Sequence, residues 1–346
     1  MAAARHTGDK PDAAPHIPVM LDQVLEALSP CDGGVYVDGT FGAGGYSRAI
    51  LAAADCRVIG IDRDMTAIEG GQSVVAESGG RLTLLHGCFG DVAALLARAG
   101  GGAVDGFVLD IGVSSMQIDQ AARGFSFRAD GPLDMRMDAS GDGRTAADIV
   151  NETPETALAD LIYRYGEERL SRRVAKAIVR ARAEAPITRT AALADVIRAV
   201  VPRSGKDGID PATRTFQALR IAVNDELGEL ERALESAASI LNPGGALVVV
   251  SFHSLEDSIV KHFLKTHSGR TDRGSRYLPL APPSSVPALF TLTSAKAAKP
   301  SSQECAANPR ARSARMRVAI RTSSPHDPST ASDALPHHEV NQKGGA

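Results

Sequence analysis

The run Asp38-Gly39-Thr40-Phe41-Gly42-Ala43-Gly44-Gly45-Tyr46-Ser47 constrains this chain more than any other stretch. It follows an apolar triplet, Val35-Tyr36-Val37, and leads directly into a helical pattern. Glycines at this spacing let a strand turn tightly into a helix and let the backbone approach a ligand closely, with the first N–H groups of the helix left free. The next strand pattern, Val58-Ile59-Gly60-Ile61-Asp62, ends in an acid 18 residues beyond Gly44, where a carboxylate can accept both hydroxyls of a ribose. The pair predicts a nucleotide or nucleoside site. The competing reading is a structural turn, with Asp62 capping a helix.

Strand patterns recur at Leu82 to Leu85 and Phe107 to Leu109, each separated from the last by an Ala-rich helical stretch. Strand alternating with helix predicts a parallel sheet covered on both faces. The rhythm breaks after Gly131. Leu158, Leu161, Ile162 and Tyr165 then repeat at helical spacing behind Thr153-Pro154, a second helix fits Glu168 to Arg182, and Leu193, Val196, Ile197 and Val200 follow Thr190. The expected organisation is an α/β domain over residues 16–139 and 213–322, interrupted by a helical insertion over 140–212. In its second part, Phe216 to Leu241 carries one apolar stripe, read as a single long helix. Asn242 to Gly245 turns the chain, Ala246 to Phe252 is a buried strand, and Phe290 to Thr293 with Arg315 to Ile320 reads as an antiparallel hairpin at the sheet edge. Residues 1–15 and 323–346 lack periodicity and are expected to be disordered tails.

Composition narrows the classes. With 43% apolar residues, global disorder is excluded. Cys31, Cys56, Cys88 and Cys305 lie 25, 32 and 217 residues apart, so neither a zinc site nor a disulfide framework is expected, and no metal is predicted. The first residues carry no apolar leader, and the longest clean apolar run is too short to cross a bilayer, so a cytoplasmic protein without membrane association is the expectation. The net charge of −3 does not announce a polyanionic partner, but it conceals a pattern. Residues 1–140 carry 10 basic and 18 acidic groups, whereas 261–321 carry 12 basic and 2 acidic groups. Those twelve, among them Lys261, Lys265, Arg310, Arg312, Arg315, Arg317 and Arg321, predict a phosphate-binding face. A second basic stretch contains Arg164, Arg169, Arg172, Arg173, Lys176, Arg180 and Arg182; its alternative is a solvated face paired with Glu167 and Glu168.

Asp38 discriminates between cofactors. It stands four and six residues before Gly42 and Gly44, where a dinucleotide site would place a pyrophosphate. An acid there suits a cationic ligand such as S-adenosylmethionine, and a nicotinamide-dependent dehydrogenase is the disfavoured alternative. After the third strand, Phe89 reads either as core or as a flank for adenine. The fourth strand ends in Asp110, which by the rule that open sheets bind at their carboxyl edge should lie between cofactor and acceptor, unless it caps a helix. His253 reads as a possible substrate contact, and Ser254 with Asp257 as a capping box.

The blocks Asp38 to Gly45, Leu109 to Ser115, Arg123 to Phe127, Gly131 to Asp138, Tyr165 to Arg169, Ala212 to Ala218, Ser251 to Asp257 and Asn308 to Ser313 together resemble the bacterial 16S rRNA cytidine N4-methyltransferases. The likeness spans about His16 to Arg321. It implies a class I S-adenosylmethionine-dependent methyltransferase fold (Rossmann-like α/β) with an inserted helical domain that recognises RNA. It also implies methylation of the N4 amine of one cytidine in the decoding centre, with 16S rRNA in the small ribosomal subunit as partner. The cofactor positions that carry over are Gly44, Gly45, Tyr46, Asp62, Phe89, Asp110 and Gln117. Tyr46 stands where the family usually has His, and Met116 where it usually has Pro. DNA amino-methyltransferases follow the strand-end acid with two prolines and an aromatic residue, which Asp110-Ile111-Gly112-Val113 lacks. Asp110 or a neighbouring carbonyl is therefore the candidate acceptor for the N4 proton, with Phe125 or Phe127 as candidates to hold the base. An amino-methyltransferase for DNA or another RNA, and a non-enzymatic RNA-binding protein on the same fold, are the alternatives. The oligomeric state is left open.

Overall fold

The computed structural model describes residues 18–203, 208–269 and 288–325. The expected N-terminal tail, residues 326–346 of the expected C-terminal tail, and Arg270, Arg273 and Arg276 of the basic segment lie outside the described residues. The chain first lays down Leu21–Leu28 (α1), Val35–Asp38 (β1), Gly45–Ala53 (α2), Arg57–Asp62 (β2), Met65–Gly70 (α3), Gln72–Glu77 (α4), Leu82–His86 (β3), Val92–Arg98 (α5), Val104–Asp110 (β4) and Ser115–Asp119 (α6). Four helices follow: Ala146–Glu152 (α7), Glu155–Gly166 (α8), Ser171–Glu184 (α9) and Thr190–Arg198 (α10). The rest is Thr213–Asn224 (α11), Glu226–Ile240 (α12), Leu241–Ser251 (β5), Ser254–His267 (α13), Phe290–Leu292 (β6), Ser302–Ala307 (α14) and Arg315–Arg321 (β7).

The seven strands form one sheet in the order β3-β2-β1-β4-β5-β7-β6. β1 through β5 pair in parallel, and β7 runs antiparallel to both β5 and β6. This is the α/β sheet expected from the sequence, parallel but for one reversed strand. β7 lies inside the sheet and β6 forms the edge. The two are not joined by a simple hairpin, because α14 and a 3-10 turn at Pro309–Ser313 intervene.

Side-chain alternation divides the core between the two faces. Phe107 and Leu109 of β4 and Leu247 and Val249 of β5 pack with α12 and α13 on one side. Val108, Val248 and Val250 point the other way, onto α1 and α2. A third cluster lies among the helices between β4 and β5, where Leu158, Ile162, Val174, Ile178, Leu193 and Ile197 meet Leu133 and Met135.

The long helix expected over Phe216 to Leu241 is two helices. Asp225 adopts a left-handed conformation, φ 48°, between α11 and α12. The physical reason is that one stripe serves two cores: Phe216 and Leu219 pack into the helical cluster, while Leu230 and Leu234 pack on the sheet. A straight helix cannot face both. Arg220 spans the break by donating to both carboxylate oxygens of Glu226, at 2.7 and 2.9 Å. β5 likewise starts earlier than expected. It includes the Asn242 to Gly245 turn, and its pairing with β4 jumps from Val104↔Leu241 to Gly106↔Ala246.

Candidate functional site

Strand order reverses between β1 and β4, which places the crevice of the sheet at their carboxyl ends, where Asp38 and Asp110 stand. The glycine-rich turn is built tightly around this point. A Cβ on Gly39 would lie 2.6 Å from Leu109 Cδ2, so only glycine lets the chain pass. Gly42 and Gly44 hold left-handed φ values of 53° and 77°, and α2 begins at Gly45. Asp38 is fully buried and its carboxylate is used within the turn, accepting from the Ser47 hydroxyl at 2.8 Å and the Thr40 amide at 3.2 Å. Burial nevertheless pushes its carboxyl up to about 6. Asp62 joins the turn to the next strand by accepting from Gly42 N at 2.7 Å and Asp64 N at 2.8 Å. Burial raises its carboxyl too. Each Asp62 oxygen keeps a further lone pair for a ligand hydroxyl.

The other cofactor candidates are arranged differently. Tyr46 opens α2, but its buried side chain is committed to the carbonyl of Val19, to which the phenol donates. Only its backbone is left to face a ligand. Phe89 packs partly against the sheet core and borders the glycine turn, its Cβ 3.4 Å from where a Gly39 Cβ would be. The Phe89 loop is anchored by Gly90 N donating to Glu229 Oε2 at 2.9 Å. Gln117 is buried with both ends of its amide engaged: Nε2 donates to Asp64 Oδ2 at 2.9 Å, and Oε1 accepts from Ser114 N at 3.1 Å. Its side chain ties the loop after β4 to the end of β2. The side chain of Met116 lies outside the described residues.

Asp110 is the exception among these carboxylates. Its amide donates to Thr40 Oγ1 at 2.7 Å, but its Oδ1 is buried with no hydrogen-bond partner. Burial, with the negative charges of Asp38 and Glu256 nearby, pushes its carboxyl up to about 8. A buried acceptor without a donor costs free energy in the ligand-free protein, roughly 1–3 kcal/mol. Such an atom at the mouth of a crevice fits a ligand that brings the missing donor or positive charge.

Sequence reasoning missed several partners of this site. The capping box of α13 is formed by His253 and Glu256 rather than Ser254 and Asp257: Glu256 N donates to His253 Nδ1 at 3.4 Å, and Glu256 Oε2 accepts from the His253 amide at 3.2 Å. His253 Nε2 lies 2.9 Å from Glu256 Oε1, out of hydrogen-bond alignment. Asp64, which accepts from Arg123 at 2.8 Å as well as from Gln117, links the irregular segment after β4 to β2. The only advance signal was its place two residues after Asp62. Phe127, a candidate to hold the base, instead stacks edge-on against Phe216 at 4.9 Å beneath Arg198. Phe125 packs against the same helical cluster. Phe252, just past the end of β5, has its Cδ2 3.7 Å from a Cβ built on Gly112, in the loop that follows Asp110.

The basic segment divides. Arg315 and Arg317 both donate to Asp257, at 3.0 and 2.7 Å. Arg321 is buried and donates to the carbonyls of Ala238, Leu289, Thr322 and Ser324. Arg310 reaches Asp119 at 3.0 Å. Among the described residues no group of His, Cys, Asp and Glu is placed to hold a metal ion, and no helix is long and apolar enough to cross a membrane.

A sequence profile of the MraW methylase family matches residues 13–322. A protein of Paramagnetospirillum magneticum named ribosomal RNA small subunit methyltransferase H is 63% identical over 311 residues, covering 90% of this chain and 97% of its own. Proteins of the same name from a Methylobacterium species and from Rhodospirillum rubrum are each 59% identical. They cover 96% and 90% of this chain and 98% and 95% of their own.

Proposed function

This chain belongs to the MraW methylase family, and from that premise we propose that it transfers the methyl group of S-adenosylmethionine to the N4 amine of one cytidine in the decoding centre of 16S rRNA. The substrate is the RNA of the small ribosomal subunit, and the reaction takes place in the cytoplasm. The observation that carries the reading is the unpaired, buried Asp110 Oδ1 at the point where the strand order reverses. The relatives' names supply the class of nucleic acid, since three of them, each matched over nearly its whole length, are named for the small-subunit rRNA.

The chain's own residues account for the cofactor's fit. Gly44 closes the turn, its N–H donating to the Phe41 carbonyl at 2.7 Å, and leaves the Gly45 N–H at the start of α2 to face a ligand, while Asp62 offers its remaining lone pairs to ribose hydroxyls. Phe89 borders the turn. The buried carboxylates Asp38 and Asp110 complement a positive charge. S-adenosylmethionine, when bound, supplies an electrophilic methyl on a sulfonium.

Cytosine N4 is a poor nucleophile because its lone pair is delocalised into the ring. An acceptor that takes a hydrogen bond from the amine draws the nitrogen toward the geometry it needs, and in-line placement contributes the larger share of the acceleration. Asp110, once ionised, is the group we assign as that acceptor, its Oδ1 being buried without a protein donor, and a nearby cation favours the ionised form. His253 is not required as a base, because the alkylated amine loses its proton readily to water. The base must leave its stack to reach the site, so a single-stranded or distorted RNA segment is the substrate form.

Asp110→Asn, assayed at saturating cofactor, is expected to lower kcat by about a hundredfold or more. Wild-type turnover in that variant removes Asp110 from the chemistry, and lost cofactor affinity with normal kcat makes it a binding residue only. The cytidine assignment is tested by mass mapping of rRNA nucleosides from cells with and without the gene; unchanged N4-methylation overturns it.

A further inference from the structure

The outer face of α9 carries charge that the fold does not use. Ser171, Val174, Ala175 and Ile178 bury one side of this helix, and Arg172, Arg173, Lys176 and Arg180 are exposed on the other. Among the described residues the side chain of none of the four makes a hydrogen bond or ion pair. The acids that the sequence offered as their partners are taken elsewhere. Glu168 is buried and accepts from Leu170 N at 2.8 Å, and Glu167 accepts from the Ser254 hydroxyl. Unpaired cations at i, i+1, i+4 and i+8 repel one another, so the face is destabilising to itself until an anion meets it. The four span about 12 Å along the helix.

The position of this face gives it a direction. The Glu167–Ser254 hydrogen bond ties the turn before α9 to the residue after His253, at the carboxyl edge of the sheet. The turn is also pressed onto α11: a Cβ on Gly166 would lie 2.4 Å from the Arg214 carbonyl oxygen. Exposed Arg169 and Arg214 therefore stand where α9 begins, beside the loop that carries His253 and Glu256, and Tyr163, 62% exposed, adds an aromatic ring one turn earlier. Glu256 is the same group whose charge bears on Asp110. The free cations thus run outward from the rim of the crevice.

We propose that the outer face of α9, with Arg169 and Arg214 at its start, is the phosphate track for the RNA strand that carries the target base. The inference rests on the RNA-methyltransferase reading above and says which of the two basic regions holds the strand. In the C-terminal segment Arg310, Arg315, Arg317 and Arg321 are engaged within the protein, and the exposed Lys261, Lys296, Lys299 and Arg312 are spread over several elements, whereas the four cations of α9 share one helix face that begins beside the loop carrying His253.

The test is the quadruple variant Arg172→Gln, Arg173→Gln, Lys176→Gln, Arg180→Gln in the full chain, with a small-subunit rRNA transcript titrated between 50 and 200 mM salt. Each phosphate of a single strand that the variant no longer neutralises makes the slope of log affinity against log salt shallower by about 0.7, so four of them make it shallower by about 3. KM for RNA rises at least tenfold, while kcat, S-adenosylmethionine affinity and the thermal midpoint stay as in the wild type. Restoring charge with Arg172→Lys, Arg173→Lys and Arg180→Lys, Lys176 being kept, recovers the slope. An unchanged slope and KM in the quadruple variant of an enzyme that still methylates the RNA overturns the track and leaves the function standing. A wild-type chain that neither binds nor methylates small-subunit RNA overturns both.

Discussion

The C-terminal segment and α9 are both rich in arginine, yet the fold treats them in opposite ways. In the first, Arg315 and Arg317 converge on Asp257, and Arg321 is buried among backbone carbonyls. In the second, four cations face outward with nothing to meet. The same division separates two carboxylates. Burial pushes Asp257 up, but hydrogen bonds from Arg317 and Arg315 outweigh it and hold the carboxyl below its usual range. Asp110, half-buried with its Oδ1 out of solvent and no cation beside it, is pushed up to about 8. A charge satisfied inside the protein is architecture, and an unsatisfied one is available for a ligand.

The strongest way to break the comparison is to remove the shared acid of the C-terminal segment. Asp257→Ala leaves Arg317 largely buried and unpaired and is expected to lower stability by about 3 kcal/mol, read by chemical denaturation. In the wild type that contribution is present above the ordinary carboxylate range and is lost as pH falls through the lowered value. Were Asp257→Ala as stable as the wild type, the segment would not be architectural. Arg321→Ala strands several carbonyls and is expected to cost about 2 kcal/mol, with no change in the salt dependence of RNA binding at the same measure.

The carboxylate half of the comparison is sharpened by pH. Asp110 must give up its proton to meet a cation, so affinity for S-adenosylmethionine should rise with pH by up to about one log unit per pH unit below about 8. Asp38, at about 6, adds to the slope only at the acid end. Calorimetry in buffers of different ionisation enthalpy reads the released proton, and Asp110→Asn should abolish its share. The sign for stability is opposite to that of Asp257. A raised carboxyl stabilises the ligand-free fold relative to the unfolded chain at low pH, and this is lost as pH rises toward 8, so Asp110→Asn should be the more stable protein at pH 9 and equal near pH 4. The smallest expected effect is on stability in the α9 quadruple variant, within about 0.5 kcal/mol of wild type, because its side chains are exposed and make no hydrogen bond or ion pair.

Much of the fold was legible because it is written in local periods. Each strand expected from an apolar run is present, and the glycine turn sits where strand passes into helix. The division of the Phe216 to Leu241 stripe was not legible, because an apolar stripe records that a face is buried but not which of two cores buries it. The site was legible in part. Asp38, Asp62 and Asp110 converge on one edge of the sheet as strand-end acids should, whereas the commitment of the Tyr46 phenol to Val19 and of the Gln117 amide to Asp64 joins residues 27 and 53 positions apart and leaves no pattern in the chain. The capping box was displaced by one residue because a histidine ring is a rare cap and Ser254 matched the usual composition.

The sequence by itself determined the alternation of strand and helix, the turn that only glycine can make, and the acids at the strand ends, because each depends on residues close along the chain. Which cations bind the protein to itself was decided only by the tertiary structure. Arg317 finds Asp257 across 60 residues, and Glu167 finds Ser254 across 87. Counting charges along the chain marked the C-terminal segment as the basic face. Folding satisfied Arg310, Arg315, Arg317 and Arg321 of that segment from within and left the outer face of α9 bare, since the energy of a charge depends on what stands within a few ångströms of it and not on its neighbours in sequence.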